Sequence, residues 1–471
     1  MTEKRDSATI STGEKLAYGV GDMALNIAYG SIGFYMLWFM VNAGGLSPAR
    51  AGLIFMIARF WDAVTDYLMG LVSDKTRSRW GRRRPYILFG AVPLGFSFAA
   101  LWQIPPGSDA LRFAYYLVAF ILFNSAYTVV AVPYSSLMAE MTQDYDERTS
   151  LSGFRMGSSF LGTLIGAAGV TLVVDILFGS LPRSRSWPLM GAAFGAAIVL
   201  ILAITGFGTR ERVSGGKPVF AGFVKTLSDF FRLREFRIVL GMFLFNMIGF
   251  DVIMATFFFF LTDVVEVSGD PTLFMALPLV VAVFASPLWI QASRRLGKKT
   301  AYIVSALYFA AVMLFCLWIS PGNEAAVLAI CVLSGIGISA SQIIPWSILP
   351  DVIEIDEFHN GVRREGAFFG ISTFLYKLAS AAAIGATGIV LQVFGYVEAS
   401  ADESVAAAGR VVQSASAVSA VRLLIGLLPG VCFLASALFV HRFPLTRDRF
   451  KSMLEELDRR RIAAVQGTEG E

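Results

Sequence analysis

Residues 59–66 read Arg-Phe-Trp-Asp-Ala-Val-Thr-Asp inside a run that is otherwise apolar. Spacings of three and four put Arg59, Asp62 and Asp66 on one face of a helix. An ionised group at the centre of a bilayer costs about 2.5–3.5 kcal/mol even on the lenient insertion scale, so such a face must turn to an interior or to water and find partners. An Arg59–Asp62 bridge accounts for one carboxylate and leaves the other in excess, which a hard cation with oxygen ligands, or a proton, would neutralise. Binding of a monovalent cation at Asp62 and Asp66 is the chemistry expected, and the two are metal ligands if that cation is Na+. On a later run Asn124, Thr128, Ala131 and Ser135 form one stripe. Thr128 there offers a hydroxyl oxygen to the cation or bonds back to its own helix.

A second group of side chains suits a small solute. Tyr and Trp present flat faces and Asn, Gln, Arg and Lys supply hydrogen bonds, so Asn26, Tyr29, Arg155, Gln342, Trp346 and Lys377 form a candidate cage, with Arg59 and Asn124 on the neighbouring polar faces. A third lies in residues 70–85, where Asp74 precedes clustered arginines. Asp74, Arg77, Arg82 and Arg83 are expected to form a gate whose ion pairs break when the two halves of the chain move. Asp22 and Asp251 each follow a short glycine motif, and spacing assigns them no role.

The elements that must hold these groups are membrane helices. Of 471 residues 56% are hydrophobic and 16% charged, and Phe alone occurs 40 times, which excludes a soluble enzyme. Apolar runs fall at 16–42, 49–72, 85–105, 111–139, 150–178, 187–207, 237–265, 272–292, 300–320, 325–349, 366–395 and 415–441. The expected organisation is an N-terminal bundle of six helices (1–208), a central loop (209–236), a C-terminal bundle of six (237–442) and a tail (443–471). Thirty of the 39 Lys and Arg lie on the side of the N-terminus and five on the other, which predicts a multi-pass plasma (inner) membrane protein with both termini in the cytoplasm.

Pro133-Tyr134-Ser135-Ser136-Leu137 returns as Pro345-Trp346-Ser347-Ile348-Leu349, each followed by acidic residues, an arginine-bearing loop and a glycine-rich helix with one central cation, Arg155 or Lys377. Two parallel six-helix repeats are the plainest account, and that is the all-α major facilitator fold, with a solute site between the halves. Three cysteines in apolar runs and two histidines leave little material for redox or metal chemistry. Gly297-Lys298-Lys299 lacks the first glycine and the hydroxyl of a phosphate-binding loop, so no nucleotide engine is encoded and no cofactor beyond a coupling Na+ or H+ is expected.

Taken together, Ala58–Asp66, Thr76–Arg82 with Arg84-Pro85, Gly361–Gly366 and Lys377 resemble the glycoside-pentoside-hexuronide:cation symporter family, to which the melibiose permease belongs. The resemblance extends over essentially the whole chain. It implies that Asp62 and Asp66 are cation ligands, that Thr128 and Lys377 match the family's helix-4 threonine and helix-11 lysine, and that Thr65 stands in the cation site where the family often has Asn. The sugar side departs: the permease's two sugar-gripping aspartates fall on Asn26 and Ala131 and its tryptophan on Ser135, while its helix-5 arginine is retained as Arg155.

The resulting expectation is a monomeric, non-enzymatic symporter of a sugar or glycoside, working with a monovalent cation in a lipid bilayer and without nucleic acid, with solute between helices 1, 2, 4, 5, 7, 8, 10 and 11. The alternative is transport of an amphiphile such as a lysophospholipid. A remote one is an intramembrane aspartyl protease, suggested by Gly19-Val20-Gly21-Asp22 with Tyr145-Asp146. A channel or scaffold is a further class, which saturable accumulation would exclude.

Overall fold

A computed structural model describes residues 10–142, 144–212, 223–268, 270–360, 365–398 and 412–443, with Ser452, Met453, Glu456 and Arg459 beyond them. Every expected run is helical, and no strand occurs among the described residues. The N-terminal half holds α1 (Thr12–Asn42), α2 (Pro48–Lys75), α3 (Arg84–Leu101), α4 (Asp109–Met141), α5 (Tyr145–Leu164, prolonged by π-helical turns Ile165–Gly169 and Leu172–Leu177) and α6 (Arg183–Gly208). The C-terminal half holds α7 (Arg234–Val265), α8 (Thr272–Leu296), α9 (Lys298–Trp318), α10 (Glu324–Asn360), α11 (Glu365–Val393) and α12 (Ala415–His441).

Local sequence explains the boundaries. Asp144 and Ser414 cap α5 and α12 by accepting the amides of Glu147 (2.9 Å) and Ala417 (3.2 Å), and Pro48 and Pro85 sit in the first turns of α2 and α3, where no amide is missed. Among the described residues ten helices are long and apolar enough to cross a membrane, while α2 and α5 are the two that carry Arg59, Asp62, Asp66 and Arg155 in their middles. The expected 209–236 loop contains a short helix, Phe223–Arg232, and α7 begins at Arg234, because aromatic residues of this stretch pack: Phe230 lies 5.4 Å from Phe236. Residues 361–364 of the motif near α11, and all but four isolated residues of the tail beyond Phe443, lie outside the described residues.

The halves meet along α2 and α11, between α7 and the π-helical turn of α1, and between α8 and the end of α5. At the face remote from the chain termini the contact is close. A Cβ on Gly388 would overlap the Pro48 carbonyl and crowd Gly52, so α2 and α11 touch backbone to backbone. The Ala49 amide donates to Gln392 Oε1 (3.1 Å), the Thr272 hydroxyl donates to Thr171 Oγ1 (2.7 Å), and Trp38 meets Phe258 edge-on at 4.8 Å. The Tyr396 hydroxyl lies 3.2 Å from Asn42 Oδ1 and 2.8 Å from Asp263 Oδ2, spanning the halves.

Candidate cation and solute site

The helical face of α2 bearing Arg59, Asp62 and Asp66 turns to the centre of the molecule, opposite α11 and beside α4. Lys377 of α11 reaches both carboxylates: its Nζ is 2.7 Å from Asp62 Oδ2 and donates to Asp66 Oδ2 as well. Thr128 of α4 places its hydroxyl 3.1 Å from Asp62 Oδ1 and 2.7 Å from Asp66 Oδ1, and its one proton serves one of them at a time. Thr65 donates to the Trp61 carbonyl of its own helix (3.0 Å), leaving its oxygen 3.4 Å from that of Thr128. Four residues named for the cation therefore converge within one site. Asp62 is 4% exposed, whereas the Asp66 side chain is 28% exposed, so the pair is reached by solvent from the Asp66 side. Two carboxylates share one ammonium, and the cluster keeps one negative charge in excess.

Lys377, placed with the solute residues on sequence grounds, is thus held at the cation pair. Arg59 is not hydrogen-bonded to Asp62. Its guanidinium lies over the ring of Tyr29, 4.9 Å from the centroid, and the Tyr29 hydroxyl is 3.2 Å from that of Tyr376, the neighbour of Lys377 in sequence. Tyr376 in turn donates to Asp251 of α7 (2.9 Å), which Ser380 also donates to.

A second charged pair lies in the N-terminal half. Gly162 of α5 meets α1 where a Cβ would overlap the Met23 carbonyl, and this close approach brings Arg155 Nε to 3.3 Å from Asp22 Oδ1, with the guanidinium 5.6 Å from the Tyr134 ring centroid. The Tyr18 ring stacks on Tyr134 at 5.0 Å and its hydroxyl has no hydrogen-bond partner among the described residues. Asn26 donates back to the Asp22 carbonyl of its own helix (2.8 Å), whereas Asn124 donates to the Ala58 carbonyl of α2 (2.7 Å) and ties α4 to α2. Gln342 Nε2 is buried without a partner among the described residues, and Trp346 is exposed beside Phe243.

A profile of the family described as MFS/sugar transport protein matches residues 17–447. The chain belongs to this family. It is therefore a multi-pass membrane transporter and not an enzyme, which agrees with Asp22 being paired with Arg155 rather than poised for proteolysis. The putative glycoside/cation symporter YagG of Escherichia coli (strain K12) is 26% identical over 96% of this chain and 95% of that protein. The sodium-dependent lysophosphatidylcholine symporter 1-A of Danio rerio is 25% identical over 92% of this chain and 86% of that protein. A crystal structure of a D-xylose-proton symporter has the same fold, with a TM-score of 0.65 at 15% identity, covering 92% of this chain and 97% of that one. The major facilitator fold and the family expected from the motifs on α2 and α11 both stand.

In the basic loop of this transporter the expected pairing of Asp74 with an arginine occurs, and further carboxylates join it. Arg83 donates to Asp74, to Ser73 and to Glu140 (2.8 Å), Arg82 donates to Glu140 as well, and Arg77 is exposed. Glu211, just past α6, accepts the successive amides of Arg82, Arg83 (2.8 Å) and Arg84 (3.0 Å) and so caps the start of α3. Among the described residues these partners all belong to the N-terminal half, so the pairs brace that half. The C-terminal half has a smaller equivalent, Lys298 with Asp351 (2.7 Å). Sequence reasoning missed Glu140 and Glu211. The acidic residues after each Pro-Tyr/Trp-Ser motif were the available signal, since Glu140 and Asp351 both follow one.

Proposed function

We propose that the protein is a symporter that couples one monovalent cation, Na+ or H+, to the movement of a sugar or glycoside by alternating access, acting as a monomer. The observation that carries this reading is the Asp62–Asp66 pair, shared with Lys377 across the boundary between halves and one positive charge short. A cation arriving at the open Asp66 side neutralises that excess and releases Lys377, and so changes how strongly α2 and α11 hold one another. Binding of cation and solute need only favour each other by about 1–3 kcal/mol for useful coupling.

With the termini in the cytoplasm of a plasma (inner) membrane, the contacts of Gly52 with Gly388, Trp38 with Phe258 and Asn42 with Tyr396 close the outer side. The pair Asp22–Arg155, in which the Arg155 side chain is 31% exposed and rests on the buried Tyr134 ring, offers donors and an acceptor suited to sugar hydroxyls. Relatives named for glycosides support a sugar. The relative named for lysophosphatidylcholine keeps an amphiphile as the second reading.

Purified protein in liposomes, given a Na+ or H+ gradient and a panel of labelled glycosides and lysophosphatidylcholine, tests this. Accumulation of a glycoside that disappears in Asp66→Asn is the expected result. Undiminished gradient-driven accumulation in that variant overturns the coupling scheme, and accumulation of the lysolipid alone moves the substrate to the second reading.

A further inference from the structure

Four carboxylates and three basic side chains face one another in the middle of the molecule: Asp22, Asp62, Asp66 and Asp251 against Arg59, Arg155 and Lys377. Their contacts sort them into three groups. Arg155 takes Asp22 within the N-terminal half, and Lys377 takes Asp62 and Asp66. Arg59 and Asp251 remain. Asp251 is 5% exposed and Arg59 9%, so neither is left to water. They are joined by a continuous path in which the guanidinium rests on the Tyr29 ring, the Tyr29 and Tyr376 hydroxyls meet at 3.2 Å, and Tyr376 donates to Asp251.

This arrangement needs an explanation, because Arg59 stands three residues before Asp62 on the same helix and a direct bridge is the simple outcome. Such a bridge would bring the Asp62–Asp66–Lys377 cluster to zero net charge and remove its need for any outside cation. We propose that Asp251 is a positioning residue that draws the Arg59 guanidinium away from Asp62 and so keeps the pair one charge short. The proposal rests on the coupled-transport reading above and adds its control element: an aspartate of the C-terminal half sets cation affinity at a site whose carboxylates belong to the N-terminal half. Tyr29 and Tyr376 are the spacers that hold the two poles apart while keeping them joined. Because Tyr376 and Lys377 are adjacent on α11, a rotation of that helix moves both partners together.

The test is equilibrium binding of radiolabelled Na+, with proton uptake followed by an indicator dye, on the full-length protein in lipid nanodiscs. In Asp251→Asn the freed arginine occupies the pair, and if it does so nine-tenths of the time the apparent affinity for the cation falls about tenfold. Asp251→Glu retains wild-type affinity. The double variant Asp251→Asn with Arg59→Gln regains it, because the competing cation is gone, and this recovery separates competition from a damaged fold. Unchanged binding in Asp251→Asn overturns the proposal, as does a double variant no better than the single one. A wild type that neither binds Na+ nor takes up protons overturns the coupled-transport reading itself and this proposal with it.

Discussion

The first helix of each half carries one aspartate after a short glycine motif, and the two are neutralised in opposite ways. Asp22 on α1 is met by Arg155 of α5, in its own half, at 3.3 Å. Asp251 on α7 receives hydroxyl donors from Tyr376 and Ser380 of α11, again in its own half, but the path through Tyr376 and Tyr29 leads to a cation, Arg59, of the other half. The exchange is reciprocal: the surplus at Asp62 and Asp66 of the N-terminal half is met by Lys377 of the C-terminal half. A charge balanced inside one half travels with it as a rigid body. A charge balanced across the boundary must be re-balanced whenever the halves separate, and a mobile ion can do that.

Three substitutions break or sharpen this contrast. Lys377→Met removes a charge balanced across the boundary and leaves the buried Asp62 without its cation beside the half-buried Asp66, with an expected loss of about 3 kcal/mol of stability, read by thermal unfolding in detergent. A variant as stable as wild type would mean that the carboxylates find their cation elsewhere. Arg155→Gln removes a charge balanced within one half and keeps hydrogen-bonding capacity, so about 1–3 kcal/mol is expected. A cycle with Asp22→Asn should give the same coupling energy with and without Na+, whereas a Na+-dependent value would mean that this pair also responds to the cation. Gly388→Ala touches no charge. Its methyl forces α2 and α11 apart at the closed face for about 1–2 kcal/mol, and faster maleimide labelling of a cysteine placed at Thr272 is the readout. Unaltered labelling would show that the glycine contact does not hold that face shut.

The architecture was legible because a bilayer imposes its thickness on sequence: twelve runs, the six-plus-six division and the repeat of Pro133 at Pro345 all follow from hydropathy and offset. The α2 face was legible because three charges within two turns of an apolar helix admit few explanations. What could not be read was who meets whom. Lys377 lies 311 residues from Asp66, and no spacing rule relates residues on different helices. Asn26 and Asn124 look like solute ligands by type, yet each donates to a backbone carbonyl, Asn26 one turn back on its own helix and Asn124 across to α2, where the approach of the neighbouring helix decides. The basic loop reads as a gate by composition and Asp74 does take Arg83, but the further carboxylate partners, Glu140 and Glu211, arrive from α4 and from beyond α6 of the same half.

One consequence follows from the backbone contact of α2 with α11 near Gly52 and Gly388. From Gly52 to Asp62 is ten residues of continuous helix, a stiff arm of about 15 Å. A tilt of about 6° around the glycine crossing carries the carboxylate end by about 1.5 Å, which takes a hydrogen bond from ideal length to broken while the crossing itself scarcely shifts. The fulcrum and the charges thus lie on the same pair of rods, so any change of tilt at the glycine contact is felt at Asp62, Asp66 and Lys377.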